Sequence, residues 1–299
     1  MRLGPSITLI FAALLTLFIG GPLAADNFGI RSTAIDPNGF HIGGLSGLAV
    51  LDQGNRFIAI SDRGHLLEGE FHREGQMLSS AEVTRMTLLG GTGGRALNPR
   101  INEEDAEGLA ISSDGSISIS FEFVHRISKY RDPGIALPYP ALLKGLNLSD
   151  NAGLETLAID DQDRLVTLPE GTKYQTDHPV LRLDKGRWSI IGHVHPSDSF
   201  APVGADFGPD GFFYLLERRV NTFGFRSRIR RFDLGKTGGV FDGVTLWQSG
   251  TSLGNLEGLS IWTDGAGDIR ATMVADDNFL KVLFGGFVEI TLVKKSVSD

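Results

Sequence analysis

Two pairs of glutamates in this chain have the residue types and the spacing that metal binding or acid–base catalysis requires. Glu107 precedes Glu122 by the same number of residues as Glu155 precedes Glu170. Each pair brackets a β-rich segment with a turn, "AEGLAISSDGSISISFE" and "LETLAIDDQDRLVTLPE". Paired carboxylates can hold a divalent cation or act as a general acid and a general base. Acidic residues at strand ends can also form a solvated polar rim that neither binds a metal nor takes part in catalysis.

The elements that carry these acids are repeated five times. Each repeat is a short apolar run, an Asp/Gly-rich turn and a second β-rich run, which indicates a β-hairpin. The repeats begin at Leu45, Ala106, Leu154, Val203 and Leu256. Strand-like runs between them bring the content to about four strands per repeat, as in a propeller blade. We predict an all-β fold, a single β-propeller of four-stranded antiparallel sheets with five blades. Six blades stay possible, and the regular repeat counts against the other alternative, a β-sandwich.

Hairpin geometry predicts close carboxylate pairs. If the turn of the second repeat is centred on Asp114 and Gly115, then Glu107 and Glu122 are direct cross-strand neighbours, with Cβ atoms about 4.5–5.5 Å apart. The third repeat places Glu155 opposite Glu170 in the same way. Like charges in this arrangement destabilise a sheet. The pairs therefore call for a cation, a hydrogen-bond donor or a raised pKa.

The equivalent hairpin ends should meet at one mouth of the central channel, because the first strand of each blade lines that channel. This predicts an acidic ring of Glu107, Glu122, Glu155, Glu170, Glu257 and Asp276, with Asp62 and Glu217 beside it. All eight acids are candidate metal ligands. The candidate catalytic residues are Glu107, Glu155 and two cationic neighbours, Arg63 and Arg218. Oxygen ligands without cysteine suit calcium or magnesium better than zinc.

Composition excludes two classes of function. The 299 residues include no cysteine, so disulfides and thiolate metal sites are impossible. The formal charge is −8, which argues against a nucleic-acid partner. An acidic surface instead favours cations.

The N-terminus has the three parts of a secretory signal. Arg2 is followed by an apolar run from Ile7 to Ile19 and by the small-residue exit "GPLAAD". The apolar run is short for a bilayer span. We therefore expect a cleaved signal peptide, residues 1–25, with an uncleaved anchor as the alternative. The remaining domain, residues 26–299, is expected in the periplasm or outside the cell, off the membrane after cleavage.

Motif strings in all five repeats point to one family. They are "GLSGLAV…FIAISDRG" (44–64), "DAEGLAISSDG…SFE" (105–122), "GLETLAI…LPE" (153–170), "GPDGFFYLLER" (208–218) and "NLEGLSIWTDGAGDIRATMVADDNF" (255–279). In order and type they resemble the phytase-like domain family of exported bacterial proteins, often labelled "esterase-like activity of phytase". The resemblance implies a β-propeller, export, and phosphoester or ester hydrolysis. It also implies that the eight acids named above belong to the recurring motif set.

One segment departs from the family pattern. There the "DDNF" motif is usually followed by a polar stretch with Gln-Arg-Thr, whereas here "LKVLFGGF" (280–287) follows, with Lys281 as the candidate replacement for the arginine. Three functions stay open. The first is calcium-dependent hydrolysis of a small anionic phosphoester, and the second is metal-dependent lactone or ester hydrolysis of the gluconolactonase type. The third, which the altered segment favours, is non-catalytic binding of a periplasmic ligand or protein.

Overall fold

The computed structural model describes residues 28–31, 43–146, 148, 153–171, 177–222, 224–235, 238–277 and 285–295. The expected signal peptide, residues 1–25, and the candidate replacement Lys281 lie outside these ranges. These ranges contain two short 3₁₀ helices, Asp52–Gly54 and Pro99–Ile101. Among the described residues, no helix has the length and apolar character needed to cross a membrane.

Strands make up the rest of the regular structure. In chain order they are β1 (Phe28–Arg31), β2 (Leu45–Leu51), β3 (Arg56–Ser61), β4 (His65–Glu74), β5 (Met77–Leu88), β6 (Ala106–Ile111), β7 (Ile117–Phe121), β8 (Arg126–Asp132), β9 (Ile135–Pro138), β10 (Ala158–Ile159), β11 (Leu165–Thr167), β12 (His178–Asp184), β13 (Arg187–Val194), β14 (Ala201–Phe207), β15 (Phe213–Asn221), β16 (Gly224–Phe232), β17 (Val240–Phe241), β18 (Val244–Gln248), β19 (Asn255–Thr263), β20 (Ile269–Asp276) and β21 (Gly286–Val293).

These strands form five sheets that are the blades of a propeller, which confirms the predicted fold. Blade 1 is β2-β3-β4-β5, blade 2 is β6-β7-β8-β9, and blade 4 is β14-β15-β16-β18. Blade 3 is β10-β11-β12-β13 with a short parallel fifth strand, β17. Each repeated hairpin supplies the two innermost strands of its blade.

The N-terminal strand closes the ring. Blade 5 has the order β19-β20-β21-β1, so its outermost strand comes from the opposite end of the chain. β1 pairs antiparallel with β21, from Phe28 opposite Glu289 to Arg31 opposite Gly286. The last blade is therefore complete only when the first described residues have joined it.

The apolar core is divided among the blade interfaces, because both faces of a blade are covered by its neighbours. Five buried clusters occur, one between each pair of adjacent blades. At the closing interface Phe57 and Phe71 of blade 1 meet Phe287 of blade 5, with ring centroids 4.7–5.0 Å apart. Aromatic pairs at this spacing add to the apolar burial. The same packing thus joins the two ends of the repeat array.

Candidate functional site

A β-bulge recurs near the start of the inner strands. The pairing of the first and second strands shifts at Gly47, Gly108, Gly204 and Gly258, in blades 1, 2, 4 and 5. In blade 3 the equivalent residue is Thr156, whose Oγ1 accepts a hydrogen bond from the Leu168 N–H at 2.7 Å. A bulge re-aims the neighbouring side chain and is frequent beside active sites.

Close packing of the inner strands explains the glycines. A Cβ on Gly108 would lie 2.7 Å from the Leu157 Cβ of the next blade, and one on Gly258 would lie 2.8 Å from the Ser46 carbonyl oxygen of blade 1. A side chain at either position would have to displace the neighbouring strand. The bulges are therefore built by contact between blades as well as by the local hairpin.

The bulges bring two residues of each blade to one mouth of the channel. The first is the residue before the bulge position, which is Ser46, Glu107, Glu155, Val203 or Glu257. The second lies inside the second strand in blade 4, ends it in blade 5 and follows it in the other blades, and is Asp62, Glu122, Glu170, Arg218 or Asp276. We call these ten residues the mouth ring. Seven are carboxylates and one is an arginine, so seven of the eight predicted acids lie together.

The predicted pairing inside the hairpins was wrong. Glu122 lies opposite Asp105, to whose carbonyl it donates its N–H at 2.9 Å, and not opposite Glu107. The turn holds three residues, with Gly115 at φ +77°, instead of two, and the bulge shifts the register once more. In blade 3 the Glu170 N–H likewise donates to the carbonyl of Gly153, at 3.0 Å. In both hairpins the two glutamates are therefore diagonal neighbours across the strands and do not lie directly opposite each other.

Glu217 is the predicted ligand that the structure does not place in the ring. Side chains alternate along a strand, so Glu217 faces away from the mouth when its neighbour Arg218 faces it. The Glu217 carboxylate is fully buried and accepts hydrogen bonds from Arg228 Nε at 2.7 Å and Arg230 Nε at 2.6 Å. Because two guanidinium groups bind its oxygens, Glu217 has a structural role in blade 4.

Arg218 is the cation of the mouth ring and links three blades. It donates to Glu257 Oε1 at 2.5 Å, to Glu170 Oε1 at 3.1 Å and to Asn255 Oδ1 at 2.7 Å. Asn255 in turn donates to Glu257 Oε1 at 2.8 Å. Burial lowers the pKa of Arg218, but the nearby carboxylates outweigh it and hold the pKa above the ordinary value. Arg218 therefore neutralises one side of the ring.

The opposite side of the ring carries a carboxylate triad that includes a residue missed in the sequence. Asp105, Glu107 and Glu122 each offer an oxygen within 4.8 Å of the others. The Gly153 N–H donates to Glu122 Oε1 at 2.6 Å and fixes that side chain. Asp105 stands two residues before Glu107, as Asn255 stands two residues before Glu257 in blade 5. Starting these repeats one residue further upstream would have included both.

Burial and mutual repulsion raise the pKa of several carboxyl groups of the ring. Burial, followed by the charges of Glu155 and Glu257, raises the pKa of Glu107 well above its usual value. Burial also raises the pKa of Glu122 to about 7, against the hydrogen bond from Gly153. For Glu257, burial raises the pKa to about 8 although Arg218 opposes the shift. A cation at the ring would favour the ionised forms.

Asp62 and Arg63 lie beside the triad in blade 1. Burial and the charge of Asp276 raise the pKa of Asp62 to about 7. Within the described part of the chain, the buried Asp62 Oδ1 accepts no hydrogen bond, and Arg63 Nε is 3.8 Å away. The Arg63 side chain is 63% exposed. Arg63 therefore lies at the solvent side of the ring, whereas Arg218 is mostly buried.

The fold and the site define a class: a five-bladed propeller with a carboxylate-rich ring at one channel mouth. Residues 41–279 match the model of the Phytase-like family, described as "Esterase-like activity of phytase". The chain therefore belongs to this family, as its motif strings predicted. A comparison with curated proteins finds no significant match.

Solved structures with similar chain traces are also propeller proteins. An aldose sugar dehydrogenase from Streptomyces coelicolor is 15% identical with a TM-score of 0.47, covering 91% of this chain and 99% of that one. A gluconolactonase from Xanthomonas campestris is 14% identical with a TM-score of 0.43, over 83% and 72%. The calcium-binding regucalcin from Agrobacterium tumefaciens is 12% identical with a TM-score of 0.48, over 84% and 91%. Likenesses this weak carry no argument about the function of this chain.

Proposed function

We propose that this protein is a metal-dependent hydrolase of phosphoesters or esters that acts outside the cytoplasm on a small anionic substrate. The observation that carries the proposal is the mouth ring, in which seven carboxylates face a single arginine. Carboxylates that repel one another at one place destabilise a fold unless a bound ligand compensates their charge. The family description and the signal-like N-terminus support the reaction class and the export.

The donor set fits a hard divalent cation, and calcium is the proposed ion. Asp105, Glu107 and Glu122 would hold it, since their oxygens already lie within 4.8 Å of one another. The buried Asp62 Oδ1, without a hydrogen bond among the described residues, supports a cation in its vicinity. When bound, such an ion supplies neutralisation of substrate charge and a lowered pKa for water.

The remaining residues have separable roles in this proposal. Arg63, exposed beside Asp62, would orient an anionic group of the substrate. Arg218 positions Glu170 and Glu257 through its hydrogen bonds and has little guanidinium surface left for a substrate. Glu155 borders Glu107 and Glu122 and is the candidate for proton transfer.

A serine nucleophile has no support in the described residues. The string Gly-Thr-Ser-Leu-Gly at 250–254 has the G-x-S-x-G form but connects β18 to β19. A nucleophile elbow needs a strand followed by a helix. Hydrolysis assisted by carboxylates and a cation is therefore the better supported chemistry.

The decisive experiment measures hydrolysis and calcium binding in the same protein. The mature chain is assayed with calcium or with a chelator on phytate, simple phosphomonoesters, esters and lactones. We expect calcium-dependent release of phosphate or ester product. Calcium should also raise the melting temperature, because binding to the folded state increases the free energy of unfolding by RT ln(1 + [L]/Kd). Glu107→Gln should lower turnover at least about 100-fold and reduce the calcium shift.

Glu70→Gln is the matched control, because Glu70 is an exposed carboxylate on blade 1 away from the mouth. It should keep full activity and the full calcium shift. Turnover of lactones alone would favour the lactonase. A calcium shift without turnover of any substrate would favour a binding propeller. No shift and no turnover would overturn the proposal.

A further inference from the structure

A second concave site lies at the end of the propeller opposite the mouth ring, between blades 3 and 4. It is lined by the β10–β11 turn, by Gly211 of the β14–β15 turn, and by residues 233–235 that follow β16. β10 and β14 both run away from the mouth, so these turns stand at the far face. The cleft has a volume of about 420 Å³, within the range of small-molecule sites.

The floor of this cleft is apolar. Val166, Ile191 and Leu234 line it and belong to the buried cluster between blades 3 and 4. Phe207 is only half-buried and packs against the same cluster, so part of its ring borders the cleft. Such a floor would gain free energy from contact with an apolar group of a ligand.

An arginine without a counter-charge among the described residues stands in the wall. Arg182 lies in β12 opposite Val166, on the side of blade 3 that borders the cleft. Among the described residues, its buried Nε makes no hydrogen bond and no carboxylate lies within 4.0 Å of its guanidinium. A half-buried guanidinium without a partner is unfavourable. The site is thus prepared for an anionic group.

The same wall offers negative charge that Arg182 does not reach. Asp160 is occupied by Arg164, whose Nε donates to Asp160 Oδ2 at 2.7 Å. Asp161 and Asp233 also line the cleft and form no ion pair with any described residue. Asp233 Oδ1 accepts the Gly235 N–H at 2.8 Å. Among the described residues the cleft therefore presents one cation and two carboxylates outside ion pairs, above an apolar floor.

We propose that this cleft binds a small zwitterion with an apolar side chain, of the α-amino acid type. The carboxylate of the ligand pairs with Arg182, its ammonium group with Asp161 and Asp233, and its side chain packs on Phe207. A simple anion would meet repulsion from the two carboxylates, and a simple cation would leave Arg182 unpaired. The site is separate from the mouth ring and does not depend on the proposed hydrolysis.

The test measures binding of L-phenylalanine by titration calorimetry and thermal shift, beside 3-phenylpropionate and phenethylamine. The two analogues keep the apolar group and lack the ammonium or the carboxylate. We expect L-phenylalanine to bind with a Kd of about 1 mM or tighter, and each analogue at least about tenfold more weakly. Absence of binding up to about 10 mM, or equal binding of the three compounds, would overturn the proposal.

Two variants test separately how the positive and the negative groups of the cleft contribute to binding. Arg182→Gln should abolish binding of L-phenylalanine, whereas Arg187→Gln, at an exposed position of the neighbouring strand β13, should bind like the parent protein. Asp233→Asn should weaken binding of L-phenylalanine and strengthen binding of 3-phenylpropionate, because it removes one of the two charges that repel the anion, and it provides the test if the Arg182 variant fails to fold. Parent-like binding by both Arg182→Gln and Asp233→Asn contradicts the assignment.

Discussion

At the scale of single residues, neighbouring positions of blade 4 have opposite tasks. Arg218 faces the channel and holds Glu170 and Glu257. Glu217, one residue earlier, is fully buried between Arg228 and Arg230. The pleat of the strand separates the two environments. A charged residue in this motif can therefore be part of the site or part of the scaffold, depending only on the parity of its position.

The buried role of Glu217 gives the first prediction. Glu217→Gln removes the charge that Arg228 and Arg230 share, and breaking a buried ion pair on one side costs about 3–5 kcal/mol. Urea unfolding should show this loss, while any response of the melting temperature to calcium stays as in the parent protein. The control is Glu82→Gln, since the Glu82 side chain is 66% exposed beside His72. A stable Glu217 variant without a calcium response would instead make Glu217 a ligand.

At the scale of elements, the bulge in the inner strand is the device that builds the mouth ring. It brings the residue before the glycine, Glu107 or Glu257, to the channel mouth in blades 2 and 5, and Thr156 takes the glycine position in blade 3. Side-chain hydrogen bonds then connect neighbouring inner strands. Ser46 Oγ donates to the Ala106 carbonyl at 2.5 Å, and Ser120 Oγ to the Leu154 carbonyl at 2.6 Å.

The bulge glycines are expected to tolerate no side chain. Gly258→Ala would place a Cβ 2.6 Å from Val274 Cγ2 and 2.8 Å from the Ser46 carbonyl oxygen. Overpacking of this kind costs about 1–3 kcal/mol, and hydrolytic activity should fall because Glu257 moves with the bulge. Gly265→Ala, in the turn of the same blade with no atom within 4 Å, is the control. Equal stability of the two variants in urea would refute the close contact.

At the scale of the whole molecule, stability depends on closing a ring of five interfaces. Each interface has its own buried cluster, and the last one joins blade 5 to blade 1. β1 completes blade 5 by pairing with β21. Without β1, the edge of β21 would present unpaired backbone groups, which promote association between chains.

Removal of the closing strand tests this arrangement. A chain that begins at Ser32 lacks β1, and a chain that begins at Asp26 is the matched control. Loss of the β1–β21 ladder should cost about 2–4 kcal/mol, at about 1 kcal/mol for each hydrogen bond. Thermal unfolding should occur at a lower temperature, with more aggregation. Identical melting of the two chains would mean that β1 contributes nothing to closure.

Several features of the fold could be predicted because they depend on local sequence patterns. Turn residues between alternating apolar runs define the hairpins, and their recurrence defines the blades. The acids at the hairpin ends follow from the same repeats, so the gathering of Glu107, Glu155 and Glu257 at one mouth was foreseeable. The closing partner of β1 was not, because the two strands are at opposite ends of the chain.

The sequence by itself determined the repeated hairpins, the propeller class, the family and the acidic character of the channel mouth, since each depends on local composition and spacing. Only the tertiary structure decided that Asp105 joins the triad, that Glu217 faces away from the ring, and that Arg182 at the far face has no ion-pair partner among the described residues. Side chains alternate with a period of two, so a shift of one residue reverses every orientation. Those shifts arise at bulges that pack against the next blade, a contact that no local pattern contains.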